Sequence, residues 1–185
     1  MARLPYIPLE DLAATYPEIA ARKEDAFSVL AHSLEGTRAL LSLGQYMRNG
    51  SRLDARLREL AVIQVAFVTR SAYAFYHHVE TGFKAGVTES DVDALLAEAR
   101  GERSALGEIE RALLGMARQL TADIRVDAAT FRFLEQSLGR ELLVDLALVI
   151  GYYNNVVRMV ACFEVGLEPG YEELARRFPM PAAGR

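Results

Sequence analysis

The sequence predicts an all-α protein, and three observations support this. No stretch shows the sustained two-residue alternation of a half-buried strand. No Asn-Gly turn is flanked by strand patterns. Residues that start and stop helices recur along the whole chain. The 185 residues, of which 51% are hydrophobic and 25% charged, suit a single domain with a substantial apolar core.

Helix-starting and helix-breaking residues divide the first part of the chain. Residues 9–16 predict a short helix that stops near Pro17. Proline suits the first turn of a helix, so a new helix is expected to start there. We expect that new helix to cover residues 17–31. Ser33 suits the N-cap of the following helix, which ends near Gly50.

The rest of the chain continues the same pattern. Ser51 or Asp54 suits the N-cap of a helix that reaches about residue 70, and the next helix stops at Gly86. Thr88 and Asp91, three positions apart, resemble a capping box for another helix. The remaining helices are predicted at about residues 104–120, 127–138, 141–165 and 170–178.

Two predicted helices are apolar on most sides. Residues 60–68 are apolar except Gln64, and residues 142–149 are apolar except Asp145. Such helices lie at the centre of a protein or at a contact between subunits. We therefore expect a homo-oligomer.

Bulk properties exclude several classes of partner. A net charge of −4 without a dense Lys/Arg cluster argues against nucleic acid. The longest apolar runs contain polar residues such as Gln64 and Asp145, so no membrane partner is expected. The single cysteine, Cys162, fits a reducing compartment, and no secretory signal is visible. We expect a cytoplasmic protein.

The most informative segment is residues 53–87, together with the threonine that follows. It contains LREL at residues 57–60, SAYAFYHH at 71–78 and GVT at 86–88. This pattern resembles the carboxymuconolactone decarboxylase-like superfamily, which includes the alkylhydroperoxidase D (AhpD) proteins. The resemblance implies a compact multi-helix AhpD-like bundle that assembles as a dimer to hexamer. It also implies one domain over residues 1–185, and we read 1–8 and 179–185 as extended or frayed termini.

The peroxidase branch of this superfamily uses a Cys-x-x-Cys-x-x-x-His motif with an upstream glutamate. Aligned on His78, the two cysteine positions fall at Ser71 and Ala74, and the glutamate position falls at Glu59. Dithiol peroxide reduction needs a thiolate and a resolving thiol. Since both are missing and Cys162 is distant in sequence, peroxidase activity is the least favoured function.

The decarboxylase-like branch often carries Tyr-Glu-Trp where this chain has Tyr73, Ala74 and Phe75. Phe75 keeps an aromatic ring, whereas Ala74 lacks the carboxylate. This departure weakens the transfer of decarboxylase chemistry and keeps open a second function, a non-catalytic ligand-binding or structural oligomer.

Glu59 and His78 are the candidates for proton transfer. Glu59 lies at the edge of an apolar helix face, where burial is expected to raise its pKa. His78 lies on a face of mostly small or apolar residues. Together they could move a proton at a carbon next to a carbonyl group. The alternatives are that Glu59 only pairs with a nearby arginine and that His78 is a satisfied core histidine.

The predicted site therefore has two parts. The catalytic candidates are Glu59, His78 and Tyr73, the tyrosine of the family motif. The candidates for contact with a small-molecule substrate are Ser71, Ala74, Phe75 and His77. His77 also suits a surface or subunit contact. The polar stretch at residues 152–155 is either a hydrogen-bonded helix contact or a pocket wall.

No metal or other cofactor is expected. His77 and His78 are adjacent, so on a helix they point about 100° apart and do not converge on one ion. No nucleotide-binding glycine motif is present. The predicted function is a cofactor-free lyase or isomerase that uses Glu/His proton transfer on a small lactone or keto acid.

Overall fold

A computed structural model describes residues 2–22 and 24–181. In that part of the chain the regular elements are all helical, which confirms the predicted all-α class. A 3-10 turn at Leu9–Leu12 precedes α1, and a π turn at Tyr46–Gly50 extends α3. The α-helices are α1 Pro17–Ala20, α2 Asp25–Leu30, α3 Leu34–Gln45, α4 Ala55–Val68, α5 Ala72–Lys84, α6 Glu89–Ala99, α7 Glu108–Ala122, α8 Ala128–Leu138, α9 Arg140–Cys162 and α10 Glu172–Arg177.

Helix α4 forms the centre of the bundle. All eight residues from Glu59 to Ala66 are buried, and α4 packs against α5, α7 and α9. A helix without a polar face is stable only when neighbours surround it. The central position predicted for residues 60–68 is therefore confirmed.

Several predicted N-caps are present. Asp54 accepts a hydrogen bond from the Leu57 amide, and Thr88 forms a complete capping box with Asp91. Asp127 caps α8 by accepting from the Ala129 and Thr130 amides. These short polar side chains satisfy amide groups that have no partner inside the helix.

The single helix predicted for residues 17–31 is wrong. The chain forms two short helices, α1 and α2, with a break between Ala20 and Asp25. Glu168, from the segment after α9, accepts a hydrogen bond from the Asp25 amide at 2.8 Å. A carboxylate from a distant part of the chain therefore satisfies the start of α2, which local sequence could not indicate.

Helix α7 starts later than predicted, at Glu108 rather than near Ser104. The Ser104 hydroxyl donates to Glu98 at 2.7 Å and accepts from the Leu106 amide at 3.4 Å. Ser104 therefore stabilises the loop after α6, and Gly107 takes the N-cap position of α7.

Helix α9 is long and apolar enough, by length and composition, to cross a membrane. Core helices of soluble proteins often pass the same test. Here α9 places Leu143, Leu146, Val149 and Ile150 in the core. It therefore packs as a core helix of a soluble helical fold.

Residues 2–8 form no helix, and this segment is bound to the body of the protein. The Arg3 amide donates to the Phe163 carbonyl at 2.8 Å, and the Ile7 amide donates to the Ser28 carbonyl at 3.0 Å. Residues 179–181 are not helical. The rest of the predicted C-terminal tail, residues 182–185, lies outside the described residues.

Candidate active site

A cavity of about 300 Å³ lies where α2, α4, α5 and α9 meet. This volume is at the lower end of the range for small-molecule sites. Most of its walls are apolar, and its polar lining comes from five separate parts of the chain. The titratable and polar lining residues are Arg22, Glu24, Arg48, Glu59, Tyr73, His77, His78, Thr81, Tyr152 and Tyr153.

Glu59 and His78 form a direct pair in this cavity. The Nδ1 atom of His78 lies 2.7 Å from Oε2 of Glu59, and Glu59 is only 2% exposed. An ionised carboxylate only accepts hydrogen bonds, so Nδ1–H donates. The second ring nitrogen of His78, Nε2, makes no hydrogen bond to the described residues. In the neutral ring that nitrogen carries the lone pair.

The expected rise in the pKa of Glu59 is wrong in sign. Burial does raise it, but the hydrogen bond and charge of His78, together with Arg58, outweigh burial and lower the pKa below 4.5. The Arg58 Nε atom donates to Glu59 Oε1 at 3.2 Å. Glu59 therefore stays ionised and orients His78, so the histidine is the better proton carrier.

Tyr153 lies against the same histidine. Its ring meets the His78 ring edge-on, with 4.6 Å between centroids. Burial is the main cause of a strongly raised Tyr153 pKa, with the charge of Glu59 adding to it. The hydroxyl makes no hydrogen bond to the described residues. Tyr153 is therefore a protonated donor available to a ligand.

His77 lies in a second polar cluster, defined by His77, Glu168, Tyr73 and Tyr171. Its Nε2 atom is 2.7 Å from Glu168 Oε2, and its Nδ1 atom is 3.2 Å from the Tyr171 hydroxyl. Both ring nitrogens thus have partners within the protein. The Tyr171 hydroxyl also donates to Glu80 at 3.1 Å. This cluster ties α5 to the segment after α9.

Tyr73 lines the cavity, but its hydroxyl is engaged elsewhere. It donates to Glu168 at 3.2 Å and accepts from the Ala26 amide at 3.2 Å. Its ring stacks on His77 with 4.5 Å between centroids. Burial is the main cause of its raised pKa. The geometry therefore favours Tyr153 over Tyr73 as the hydroxyl that meets a ligand.

The remaining predicted contacts divide in two. Ala74 lines the cavity, at the position where a cysteine would stand in the peroxidase branch. Ser71 caps α5 and lines a different groove, beside Val160 of α9. Phe75 is fully buried in the core. The structure thus brings together Glu59, His78, Tyr73, Ala74 and His77, and places Ser71 and Phe75 outside the cavity lining.

Sequence reasoning did not identify the cationic part of the site. Arg22 precedes α2 and Arg48 lies in the π turn, so both are outside the motif at residues 57–88. Tyr152 and Tyr153 lie in the polar interruption of an apolar helix, which we left open between a helix contact and a pocket wall. Tyr152 and Tyr153 form part of the pocket wall, whereas Asn154 makes the helix contact by donating to the Thr121 hydroxyl of α7 at 2.9 Å. The interruption itself was the available signal.

Other surface features do not combine these groups. A larger groove of about 610 Å³ lies between α6 and the segment after α10 and contains none of the predicted site residues. Among the described residues, no group of His, Cys, Asp or Glu side chains could hold a metal ion. Cys162 is exposed and does not line the cavity.

The all-helical bundle is an AhpD-like fold, as three solved structures show. A protein of unknown function from Agrobacterium tumefaciens, described as an AhpD-type antioxidant defence protein, is 23% identical with a TM-score of 0.68, covering 75% of this chain and 94% of that chain. A peroxidase-related protein from Silicibacter sp. TM1040 is 20% identical with a TM-score of 0.70, covering 92% and 93%. An AhpD-core, peroxidase-related protein from Ralstonia eutropha JMP134 is 19% identical with a TM-score of 0.72, covering 97% and 95%.

At these identities the structural likeness shows the fold. The sequence gives a family match of its own: the model of the carboxymuconolactone decarboxylase family matches residues 35–119, which run from α3 into α7. This match and the AhpD-like fold confirm the resemblance to the carboxymuconolactone decarboxylase/AhpD-like superfamily. Among curated proteins, none matches the chain significantly.

Proposed function

We propose that the protein is a cofactor-free lyase or isomerase that moves a proton at a carbon next to the carbonyl group of a small lactone or keto acid. The observation that carries this proposal is the Glu59–His78 pair, 2.7 Å apart, in a cavity of about 300 Å³. Glu59 fixes the Nδ1–H tautomer, so His78 presents the basic Nε2 atom to the cavity.

In the proposed reaction, His78 Nε2 takes a proton from the carbon next to the carbonyl. The electron pair of the broken C–H bond moves to the carbonyl oxygen and forms an enolate. The Tyr153 hydroxyl donates a hydrogen bond to that oxygen, and Glu59 stabilises the imidazolium. Returning the proton to another carbon gives isomerisation.

Decarboxylation uses the same groups in a different order. The bond between the carbon and the carboxylate group breaks, and carbon dioxide leaves. The electron pair of that bond moves toward the carbonyl group and forms the enolate. Protonated His78 then delivers its Nε2 proton to the carbon. Both routes balance without an external oxidant or reductant, which suits a cavity whose described lining contains no thiol.

Hydrogen–deuterium exchange tests the first step directly. The protein is incubated in D₂O with a panel of small lactones and keto acids, and loss of the adjacent C–H signal is followed by ¹H NMR. Loss of carboxyl carbon is followed by ¹³C NMR. We expect exchange or decarboxylation well above the buffer rate for at least one compound. Glu59→Gln and His78→Ala should lower that rate sharply.

Two control variants match the mutated residue types. Glu141 and His32 are exposed and do not line the cavity, so Glu141→Gln and His32→Ala should keep the wild-type rate. Equal rates in wild type, Glu59→Gln and His78→Ala would exclude this mechanism. Ligand binding without any turnover would instead favour the non-catalytic binding protein.

A thiol peroxidase is the alternative suggested by the peroxidase-related structural neighbours. We expect no peroxide-dependent oxidation of a dithiol donor, because Ala74 occupies the cavity position of a motif cysteine and Cys162 lies elsewhere. The measurement is peroxide consumption with dithiothreitol or a dihydrolipoyl donor. Activity that survives Cys162→Ser would contradict the proposed chemistry.

We also infer that the protein forms homo-oligomers. Four large apolar side chains are exposed on adjoining parts of the surface: Leu43, Tyr46, Val144 and Leu148. Tyr46 and α9 are linked, since the Tyr46 hydroxyl donates to Asp145 at 3.0 Å. Exposed apolar side chains at helix spacing favour a subunit contact. Light scattering measures the oligomeric state of wild type and of Val144→Glu. A monomeric wild type would contradict the inferred homo-oligomer.

A further inference from the structure

One wall of the cavity carries hydrogen-bond donors that lack partners. The Arg48 side chain makes no hydrogen bond or ion pair to the described residues. The Nε atom of Arg22 is buried and also has no partner among them. The Tyr152 hydroxyl makes no hydrogen bond within the described chain. Donors left unpaired in a partly dry site favour a bound acceptor, because each loses its hydration there.

The three groups lie close together. A Cβ atom built on Gly44 would come within 2.8 Å of the Tyr152 hydroxyl and 3.4 Å of Arg48 Nη1, so both groups meet at Gly44. Burial is the main cause of the raised Tyr152 pKa, and the charges of Arg48 and Arg22 oppose it. Arg22 lines the same cavity as Tyr152 and Arg48.

The charge at this wall is positive. The Arg22 Nη2 atom pairs with Glu24 at 2.6 Å, and Glu59 at the other wall is compensated by Arg58. Among the described lining residues, Arg48 is the cation without a carboxylate partner. A ligand that brings one negative charge would balance it.

We propose that Arg48, the Nε–H of Arg22 and the Tyr152 hydroxyl bind a carboxylate group of the substrate. This inference rests on the proposed function. It restricts the candidate lactones to those that carry a carboxylate, a group that every keto acid has. The Tyr152 and Tyr153 ring centroids are 5.1 Å apart, and Tyr153 is in contact with His78. A carboxylate at Tyr152 thus leaves the other end of a small molecule at His78.

Calorimetric titration with two matched probes tests the subsite. The first probe is 5-oxotetrahydrofuran-3-carboxylate, a lactone with a carboxylate, and the second is γ-butyrolactone, the same ring without it. We expect wild type to bind the carboxylate probe at least about tenfold more tightly, since charge-assisted hydrogen bonds are the strong ones. Arg48→Gln should remove that preference, and Arg48→Lys should keep part of it.

The control is Arg52→Gln. Arg52 is close in sequence, exposed and paired with Glu141, so its loss should leave binding unchanged. A second measurement needs no variant: raising the salt concentration should weaken binding of the carboxylate probe and not of the neutral one. Wild type without preference for the carboxylate, or Arg48→Gln with wild-type affinity, would overturn the proposal.

His78→Ala separates this inference from the proposed function. We expect the variant to keep the preference for the carboxylate probe over the neutral one, because the carboxylate subsite does not include His78. Carboxylate-dependent binding with no proton exchange in wild type would support the subsite and reject the chemistry. Exchange that is equally fast in wild type and Arg48→Gln would support the chemistry and reject the subsite.

Discussion

His77 and His78 are neighbours on α5, and each has a carboxylate oxygen 2.7 Å from one ring nitrogen. The difference lies at the other nitrogen. In His77 it meets the Tyr171 hydroxyl at 3.2 Å, whereas in His78 it has no partner among the described residues and the ring lines the cavity. A histidine whose nitrogens are both bonded holds structure together, and one with a free nitrogen can exchange protons.

The tyrosines show the same contrast. Tyr73 uses its hydroxyl on Glu168 and Ala26, while the Tyr153 hydroxyl is unpaired within the described chain. The two clusters are adjacent, and both consist of histidine, glutamate and tyrosine. Residue type therefore does not distinguish a reactive cluster from a structural one, and unpaired hydrogen-bonding groups do.

The largest expected effect concerns the two histidines. His78→Ala should lower the proton-exchange rate by about 10²–10⁴-fold, because it removes the general base. His77→Ala should lower it far less at equal concentrations of folded protein. Rates are measured by ¹H NMR in D₂O. A larger loss in His77→Ala than in His78→Ala would reverse the assignment of the two clusters.

The tyrosines should give a smaller effect in the same assay. Tyr153→Phe should lower the rate by about 10²-fold, the loss typical of one hydrogen-bond donor to a developing oxyanion. Tyr73→Phe should retain most activity, because its hydroxyl bonds to Glu168 and Ala26 rather than to a ligand. An unchanged rate in Tyr153→Phe would remove Tyr153 from the mechanism.

The free energy of unfolding should show the opposite order, with the larger loss in the His77 cluster than at Tyr153. His77→Ala should lower the free energy of unfolding by about 1–3 kcal/mol, since it removes the imidazole partner of Glu168 Oε2 and of the Tyr171 hydroxyl in a partly buried cluster. Tyr153→Phe should change it much less. Urea unfolding followed by circular dichroism measures both. Equal stability of wild type and His77→Ala would show that the His77 cluster does not stabilise the fold.

The sequence predicted the helical class, the central α4 and most of the cavity-lining residues of α4 and α5. These features follow from local periodicity, caps and the motif at residues 57–88. Arg22 and Arg48 could not be predicted, because only packing brings α2 and the π turn to the cavity. Glu168 was missed for the same reason: it caps α2 and binds His77 from over 90 residues away in sequence.

The sign of the Glu59 pKa was also beyond the sequence. Burial and charge pairing act in opposite directions on a carboxylate, and only the distances to His78 and Arg58 show that pairing dominates. The apolar face around Glu59 indicated burial alone, so it predicted a raised pKa.

The smallest expected effect is the loss, on acidification, of the stability that Glu59 and Glu168 contribute. Both carboxyl groups have pKa values below the ordinary 4.5, although burial alone would raise them. At Glu59 the effect of burial is outweighed by His78 and Arg58. At Glu168 it is outweighed by the Asp25 amide and His77. A lowered pKa in the folded state gives stability that is complete above 4.5. That stability is lost as the pH falls through the folded-state value.

The stability difference between wild type and Glu59→Gln should therefore shrink as the pH falls below about 4.5. Glu168→Gln should show the same direction with a smaller change, because Glu168 is more exposed than Glu59, and solvent weakens its charge interactions. Urea midpoints measured from pH 3 to 7 give both differences. A Glu59→Gln difference that grows as the pH falls below about 4.5 would mean that the Glu59 pKa is raised in the folded protein, and His78 would then lack the anion that stabilises its protonated form.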